Sequence, residues 1–135
     1  MDYNNPIDAV ITWVDGNDPL HQKKITEALS LEKSKRLYIG SSKYKQIGEI
    51  YFCVLSILKF APFIRNIFIV SDSQVPEFIK KDSLNNPRIK IVDHKEIFKG
   101  LLGFTPTFNP RGIDSLLHRI PELSERFISF NDDMF

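Results

Sequence analysis

The stretch DAVITWVDGNDP, residues 8–19, decides the fold. Residues 9–14 form a tight run of β-branched and aromatic side chains, the composition of a short buried strand. Asp15 ends the run and Gly16 supplies a permissive backbone for a turn. Asp18 followed by Pro19 is then a cap residue followed by the proline that suits a first helical turn. A strand running through a tight turn into a helix is the opening of a βα unit, and the helix is expected from Pro19 to about Lys33.

The same pattern of an apolar run followed at once by polar residues recurs three times. Residues 67–70 lead into Ser71 and Asp72, residues 89–92 into Asp93 and His94, and residues 127–130 into Asn131, Asp132 and Asp133. Helical segments fall between them. Residues 48–60 are apolar on nearly every side and of a length that suits a buried helix, ended by Ala61-Pro62, so residues 50–58 are expected to have no face turned to water. Asn109-Pro110 repeats the cap-and-proline signal, and Ile113, Leu116, Leu117 and Ile120 keep the i, i+3, i+4, i+7 spacing of one buried helical face up to Pro121. Residues 34–47, basic and polar around Gly40-Ser41-Ser42, read as a flexible loop. Strands alternating with helices imply an α/β protein with an open, mostly parallel sheet and helices on both faces. Ligands of such sheets bind beyond the carboxyl ends of the strands, where all four runs place an acid.

Composition narrows the function classes. The chain has 135 residues, 42% hydrophobic and 26% charged, which is enough for one domain with a core. Eighteen Lys and Arg against 17 Asp and Glu leave a net charge of +1, no electrostatic footprint for nucleic acid. The longest apolar run, residues 50–58, falls far short of the roughly twenty residues that span a bilayer. The first eight residues are polar and acidic, so no secretory signal is expected and a cytoplasmic location is the expectation. Cys53, the single cysteine, has no partner for an internal disulfide and reads as a small buried hydrophobe.

Three constellations have candidate chemistry. Around residues 13–18, Gly16 and Asp18 can simply build a turn and cap a helix. Alternatively the exposed helix N-terminus holds a phosphate, Asp15 orients a ribose or helps position a metal, and Trp13 makes a flat wall. A haloacid-dehalogenase-type site needs its second acid two residues on, whereas Asp15 and Asp18 are three apart. In Asn131-Asp132-Asp133 the adjacent carboxylates repel, either as a solvated acidic loop or as ligands screened by a divalent cation that also binds substrate phosphates. On the expected third helix, Arg111, Asp114 and His118 share a polar stripe. His118 and Arg119 either complement the negative helix end or move a proton and pair with a phosphate. His21 and His94 have weaker cases.

Four stretches resemble the Stealth family of bacterial capsular and exopolysaccharide phosphotransferases, to which the catalytic subunit of the lysosomal-enzyme N-acetylglucosamine-1-phosphotransferase is also similar. They are DAVITWVDGNDP (8–19), SILKFAPFIRNIFIVSDSQVP (56–76), RIKIVDHKEIF (88–98) and PTFNPRGIDSLLHRIPELSERFISFNDDMF (106–135). The first matches the family's first conserved region and the others its second, and the resemblance covers nearly the whole chain except residues 22–44. The chain departs from the family at Gln46, Tyr51 and Leu55, where an Asp and two Arg are usual, and at Pro110-Arg111, where a Ser-His pair is usual. Gly112 and Asp114 stand where Ala and Glu are more common.

The resemblance implies transfer of a sugar 1-phosphate from a nucleotide-activated sugar to a glycan hydroxyl, on a nucleotide-sugar-transferase-like (GT-A-like) fold with Mg²⁺ or Mn²⁺. The donor contacts would be Trp13, Val14, Gly16, Asp18, Ser71 and Asp72, the metal ligands Asp132 and Asp133, and the catalytic residues Asp15, His118, Arg119 and Asp132. The partners implied are a UDP-sugar donor and a glycan acceptor, with peripheral association with a membrane-bound capsule-synthesis machinery left open. Family members continue into third and fourth conserved regions, so residues 1–135 are expected to be the N-terminal part of a single catalytic domain, inactive alone. Two alternatives stand beside this one: a glycosyltransferase that passes the sugar without its phosphate, and a non-catalytic module that binds a nucleotide sugar.

Overall fold

In the computed structural model the chain is described over residues 5–15, 18–31, 48–80, 86–101 and 110–132. It divides into two compact units, one of Met1–Trp13 with Gly48–Phe135 and one of Val14–Ile47.

The larger unit is built on four strands: β1 (Ile7–Thr12), β2 (Ile64–Ser71), β3 (Ile89–Asp93) and β4 (Arg126–Asn131). They lie in the order β3-β2-β1-β4 and every pairing is parallel. The expected strands are therefore present, with β1 and β2 beginning two or three residues earlier than their apolar runs alone suggest. β1 contains Asp8, a polar residue whose burial is explained below, and stops at Thr12, although Trp13 continues the ladder by donating its N–H to the Val70 carbonyl at 2.9 Å.

Side-chain alternation along the strands makes two cores. Ala9 and Ile11 of β1 and Ile67 and Ile69 of β2 face one core, while Val10, Phe68, Val70 and Val92 face the other. Helix α2 (Glu49–Phe60) covers the first core, together with Phe78 of the short helix α3 (Glu77–Lys80). The second core is closed by Ile97 of α4 (His94–Ile97), Phe98, and Leu117 and Ile120 from the chain leading to β4. Connections towards β2 and β3 thus pack on one face and the connection back to β4 on the other, as right-handed crossovers require when the direction of strand addition reverses.

The second helix is not buried all round. Ile50, Cys53, Val54 and Ile57 turn inward at i, i+3, i+4, i+7, whereas Phe52 is 53% exposed. One helix lying on one face of a sheet has an outer side whatever its composition, so an apolar residue set at 100° steps from the buried stripe meets solvent. Gly48 precedes the helix at φ 80°, a left-handed backbone that suits glycine.

The third helix is a larger correction. The chain forms α5 (Pro110–Asp114), then a bend, then a separate 3₁₀ turn at Leu117–Arg119. The hydrogen bonds tighten from Ser115 N–H to the Arg111 carbonyl, four back, to Leu116 onto Ile113 and Arg119 onto Leu116, three back. Ser115 Oγ also donates to the Gly112 carbonyl at 2.8 Å, a side-chain competitor for the helical ladder beside a glycine with little helix preference. Arg111, Asp114 and His118 therefore share no continuous stripe. The apolar positions nonetheless pack, because Ile113, Leu116, Leu117 and Ile120 all reach the second core.

In the second unit, Asp18 begins helix α1 (Pro19–Leu31) as expected, accepting from Leu20 N–H at 3.0 Å through Oδ1. The loop expected at residues 34–47 and the end of the helix at Lys33 lie outside the described residues. Among the described residues no helix is long and apolar enough to cross a membrane.

Candidate functional site

Strand order marks a candidate site before any side chain is considered. In the order β3-β2-β1-β4 the chain builds outward from β1 on one side and then crosses to its other side, so the switch in direction falls between β1 and β4. In open α/β sheets ligands bind outside the carboxyl ends of the strands at such a switch point. Parallel pairing brings the ends of all four strands to that edge: Trp13 after β1, Asp72 after β2, Asp93 ending β3 and Asp132 after β4.

Register sets their spacing. Thr12 is level with Val70 on one side and Asn131 on the other. Asp72 and Asp132 each follow a direct neighbour of β1 and so stand two strand spacings apart, about 10 Å. Asp132 is half-buried, and the preceding residue is tied to the helix above it, with Cys53 Sγ 3.7 Å from the Asn131 carbonyl oxygen. Trp13 packs into the first core at 8% exposure, so its ring supports the edge from below.

The turn after β2 is held at both ends. Ser71 is buried and its hydroxyl donates to the Gln74 carbonyl at 2.6 Å. Ser73, at φ 55°, donates its N–H to Asp93 Oδ2 at 2.8 Å, while Asp93 Oδ1 accepts from Lys95 N–H at 2.9 Å and caps α4. Burial of Asp93 works to raise its pKa, but hydrogen bonds from the Lys95 N–H and from the hydroxyl and N–H of Ser73 outweigh it and hold the carboxyl below its ordinary range. His94, next in the chain, is buried with its ring 6.5 Å from that of Phe98.

The remaining candidates are distributed otherwise. Val14 and Asp15 are half-buried and belong to the second unit with Asp18, whose carboxylate caps α1; Gly16 lies outside the described residues, as does Asp133. His118 is exposed on the 3₁₀ turn, and Arg119 donates through Nη2 to the Lys99 carbonyl. Three residues further on, Glu122 already lies at the opposite edge of the sheet, its carbonyl accepting from Arg65 at the start of β2. Among the described residues no group of three or more His, Cys, Asp or Glu converges on one point.

One residue outside the expected set organises that opposite edge. Asp8, fully buried in β1, accepts from Arg65 Nε and Asn66 N–H through Oδ1 and from Arg65 Nη2 and Ser124 N–H through Oδ2, at 2.8 to 3.1 Å. Ser124 Oγ also donates to the Pro6 carbonyl. The signal was present in the sequence: an acid within an apolar strand requires a buried cationic or main-chain partner, and Arg65 stands at the matching start of β2. These contacts dock the segment entering β4 against β1 and so seat the strand that leads to Asp132.

The fold and this edge define a doubly wound α/β protein with carboxylates at the carboxyl ends of its strands. Comparison with known proteins places it further. A family model described as Stealth protein CR1, conserved region 1, matches residues 5–31, and one described as Stealth protein CR2, conserved region 2, matches residues 43–135. The chain belongs to the Stealth family. It is 41% identical over 131 residues to a capsular polysaccharide phosphotransferase of Actinobacillus suis, covering 96% of this chain and 34% of that protein. It is 41% identical over 130 residues to an exopolysaccharide phosphotransferase of Streptomyces coelicolor, covering 96% and 23%, and 38% identical over 130 residues to a capsular polysaccharide phosphotransferase of Neisseria meningitidis, covering 96% and 34%. The chain thus spans about a third or less of the length of these relatives.

Proposed function

We propose that the protein containing this chain transfers a sugar 1-phosphate from a nucleotide-activated sugar, a UDP-sugar in the first instance, to a hydroxyl of a glycan acceptor during capsular or exopolysaccharide synthesis. The observation that carries this reading is 41% identity, over 96% of the chain, to a relative named as a capsular polysaccharide phosphotransferase. The strand-end edge supports it chemically. Asp72 and Asp132 follow the two strands that flank β1, at the edge where open sheets bind ligands.

The residues at β4 fit a divalent cation of the Mg²⁺ or Mn²⁺ type. Such ions take hard oxygen donors, commonly one or two carboxylates with substrate phosphates completing the shell, and Asp132 offers a half-buried carboxylate beside the switch point. Asp132 and Asp133 would hold the ion, and when bound it supplies neutralisation of pyrophosphate charge where the nucleotide departs. In this proposal Asp15 and Asp18 serve the donor from the first conserved region, and His118 and Arg119 enter as proton carrier and phosphate contact on the family resemblance alone. A cytoplasmic location, with peripheral contact to a membrane-bound synthesis machinery, belongs to the same proposal.

The test is to incubate the full-length protein with UDP-, GDP- and CMP-sugars, acceptor oligosaccharides and Mg²⁺, and to identify the nucleotide released. From a UDP-sugar, UMP is the expected product. Release of UDP would mark glycosyl transfer instead, and no release with any donor would leave a binding module.

A further inference from the structure

We infer that Asp93 is a positioning residue of the donor site, holding the turn that carries Asp72. The inference rests on the reading of the strand-end edge given above. Asp72 is bracketed by two anchored neighbours. Ser71, the last residue of β2, is paired in register with Asp93 itself and is fixed by its hydroxyl to the Gln74 carbonyl. Ser73, on the other side, has a left-handed backbone at φ 55° that a serine adopts at a conformational cost, and its N–H is received by Asp93 Oδ2 at 2.8 Å. Asp93 thus reaches across from β3 and stabilises the bend at the residue after Asp72. Its other oxygen is occupied by Lys95 N–H at 2.9 Å, so one carboxylate joins the turn after β2 to the start of α4.

The two functions of this carboxylate can be separated by chemistry. Asparagine caps a helix about as well as aspartate, because one side-chain oxygen suffices for the Lys95 N–H. Its amide nitrogen, however, is a donor and cannot accept from Ser73 N–H. Asp93→Asn therefore keeps the cap and releases the turn.

The experiment titrates UDP, GDP and CMP into the full-length protein with Mg²⁺ by calorimetry, and follows the nucleotide that binds the wild type. Loss of a charge-assisted hydrogen bond is expected to weaken binding roughly tenfold in Asp93→Asn, with the melting temperature lowered by only a few degrees so that the protein stays folded during the titration. Adding Ser73→Gly to that variant is expected to recover most of the loss, since glycine takes φ 55° freely, an outcome a merely stabilising role for Asp93 would not produce. Asp72→Ala is the reference. If it weakens binding while Asp93→Asn does not, or if Ser73→Gly brings no recovery, the inference about Asp93 fails and the donor site stands. If no nucleotide binds the wild type, or Asp72→Ala binds normally, the donor-site reading fails and the inference goes with it.

Discussion

Asp8 and Arg65 meet in a two-point fit, Nε to Oδ1 at 3.0 Å and Nη2 to Oδ2 at 2.8 Å, with the carboxylate fully buried and the guanidinium partly exposed. The same carboxylate receives the main-chain N–H of Asn66 and Ser124, so a single side chain joins the starts of β1 and β2 to the entry of β4. Asp8→Ala is expected to destabilise the full-length protein by about 2 to 3 kcal/mol, because it leaves the N–H groups of Asn66 and Ser124 without their acceptor, while the partly exposed guanidinium keeps solvent and the Glu122 carbonyl. Denaturant midpoints measure this, and a loss below about 1 kcal/mol would show that the edge is not held by this pair.

The same carboxylate predicts how stability responds to acid. Burial works to raise the Asp8 pKa, but the Arg65 hydrogen bond and the Ser124 and Asn66 N–H groups outweigh it, leaving the carboxyl below its ordinary value. A folded-state pKa below the unfolded one means the contribution is complete above the unfolded value, about 3.9, and is lost as pH falls through the lower folded value. Asp93 is shifted the same way. Stability is therefore expected to be insensitive to these two groups between pH 5 and pH 7 on an order-of-magnitude view, and to decline below about pH 4. Asp8→Asn should show a shallower decline in that acid range, and an identical slope would contradict the assignment.

Cys53 has no exposed surface and lies against the end of β4, so a thiol reagent should reach it only after opening of α2 from the sheet. Labelling of the native full-length protein is expected to be at least about 100-fold slower than in denaturant, the factor that corresponds to an opening free energy near 3 kcal/mol. Rapid native labelling would mean that α2 does not cover the first core.

The metal proposal makes a paired forecast. Asp132→Asn preserves size and removes charge, so in the full-length protein it should abolish Mg²⁺-dependent turnover with little change in melting. Asp18→Asn should be mild, within about 0.5 kcal/mol in stability, because the observed role of Asp18 is to cap α1 and asparagine caps equally well. Near-normal turnover in Asp132→Asn would sink the metal assignment. Severe loss of turnover in Asp18→Asn with the helix intact would move the centre of the chemistry towards residues 13–18.

Much of this architecture was written locally. The apolar runs before Asp15, Asp72, Asp93 and Asp132 named four strands, Asp18-Pro19 named the start of α1, and the four motif stretches named the family, because each depends on residues a few positions apart. Periodicity also found the buried positions of the third helical segment, although it did not find that the helix breaks after Asp114. That break depends on a Ser115 hydroxyl competing for the Gly112 carbonyl, a contest between two states of similar energy that spacing alone does not decide.

What remained was settled by the tertiary structure, since it depends on contacts between distant parts of the chain. Asp8 meets Arg65 across 57 positions and Ser124 across 116, and Asp93 reaches Ser73 across 20. A local pattern states that a carboxylate within an apolar strand must be satisfied; only strand order and register state by whom. The order β3-β2-β1-β4 likewise set the switch point between β1 and β4 and put Asp72 and Asp132 on either side of β1. The sequence by itself determined which elements form and which residues they bury, whereas the assembled sheet decided which side chains share an edge, because parallel strands are neighbours in space without being neighbours in the chain.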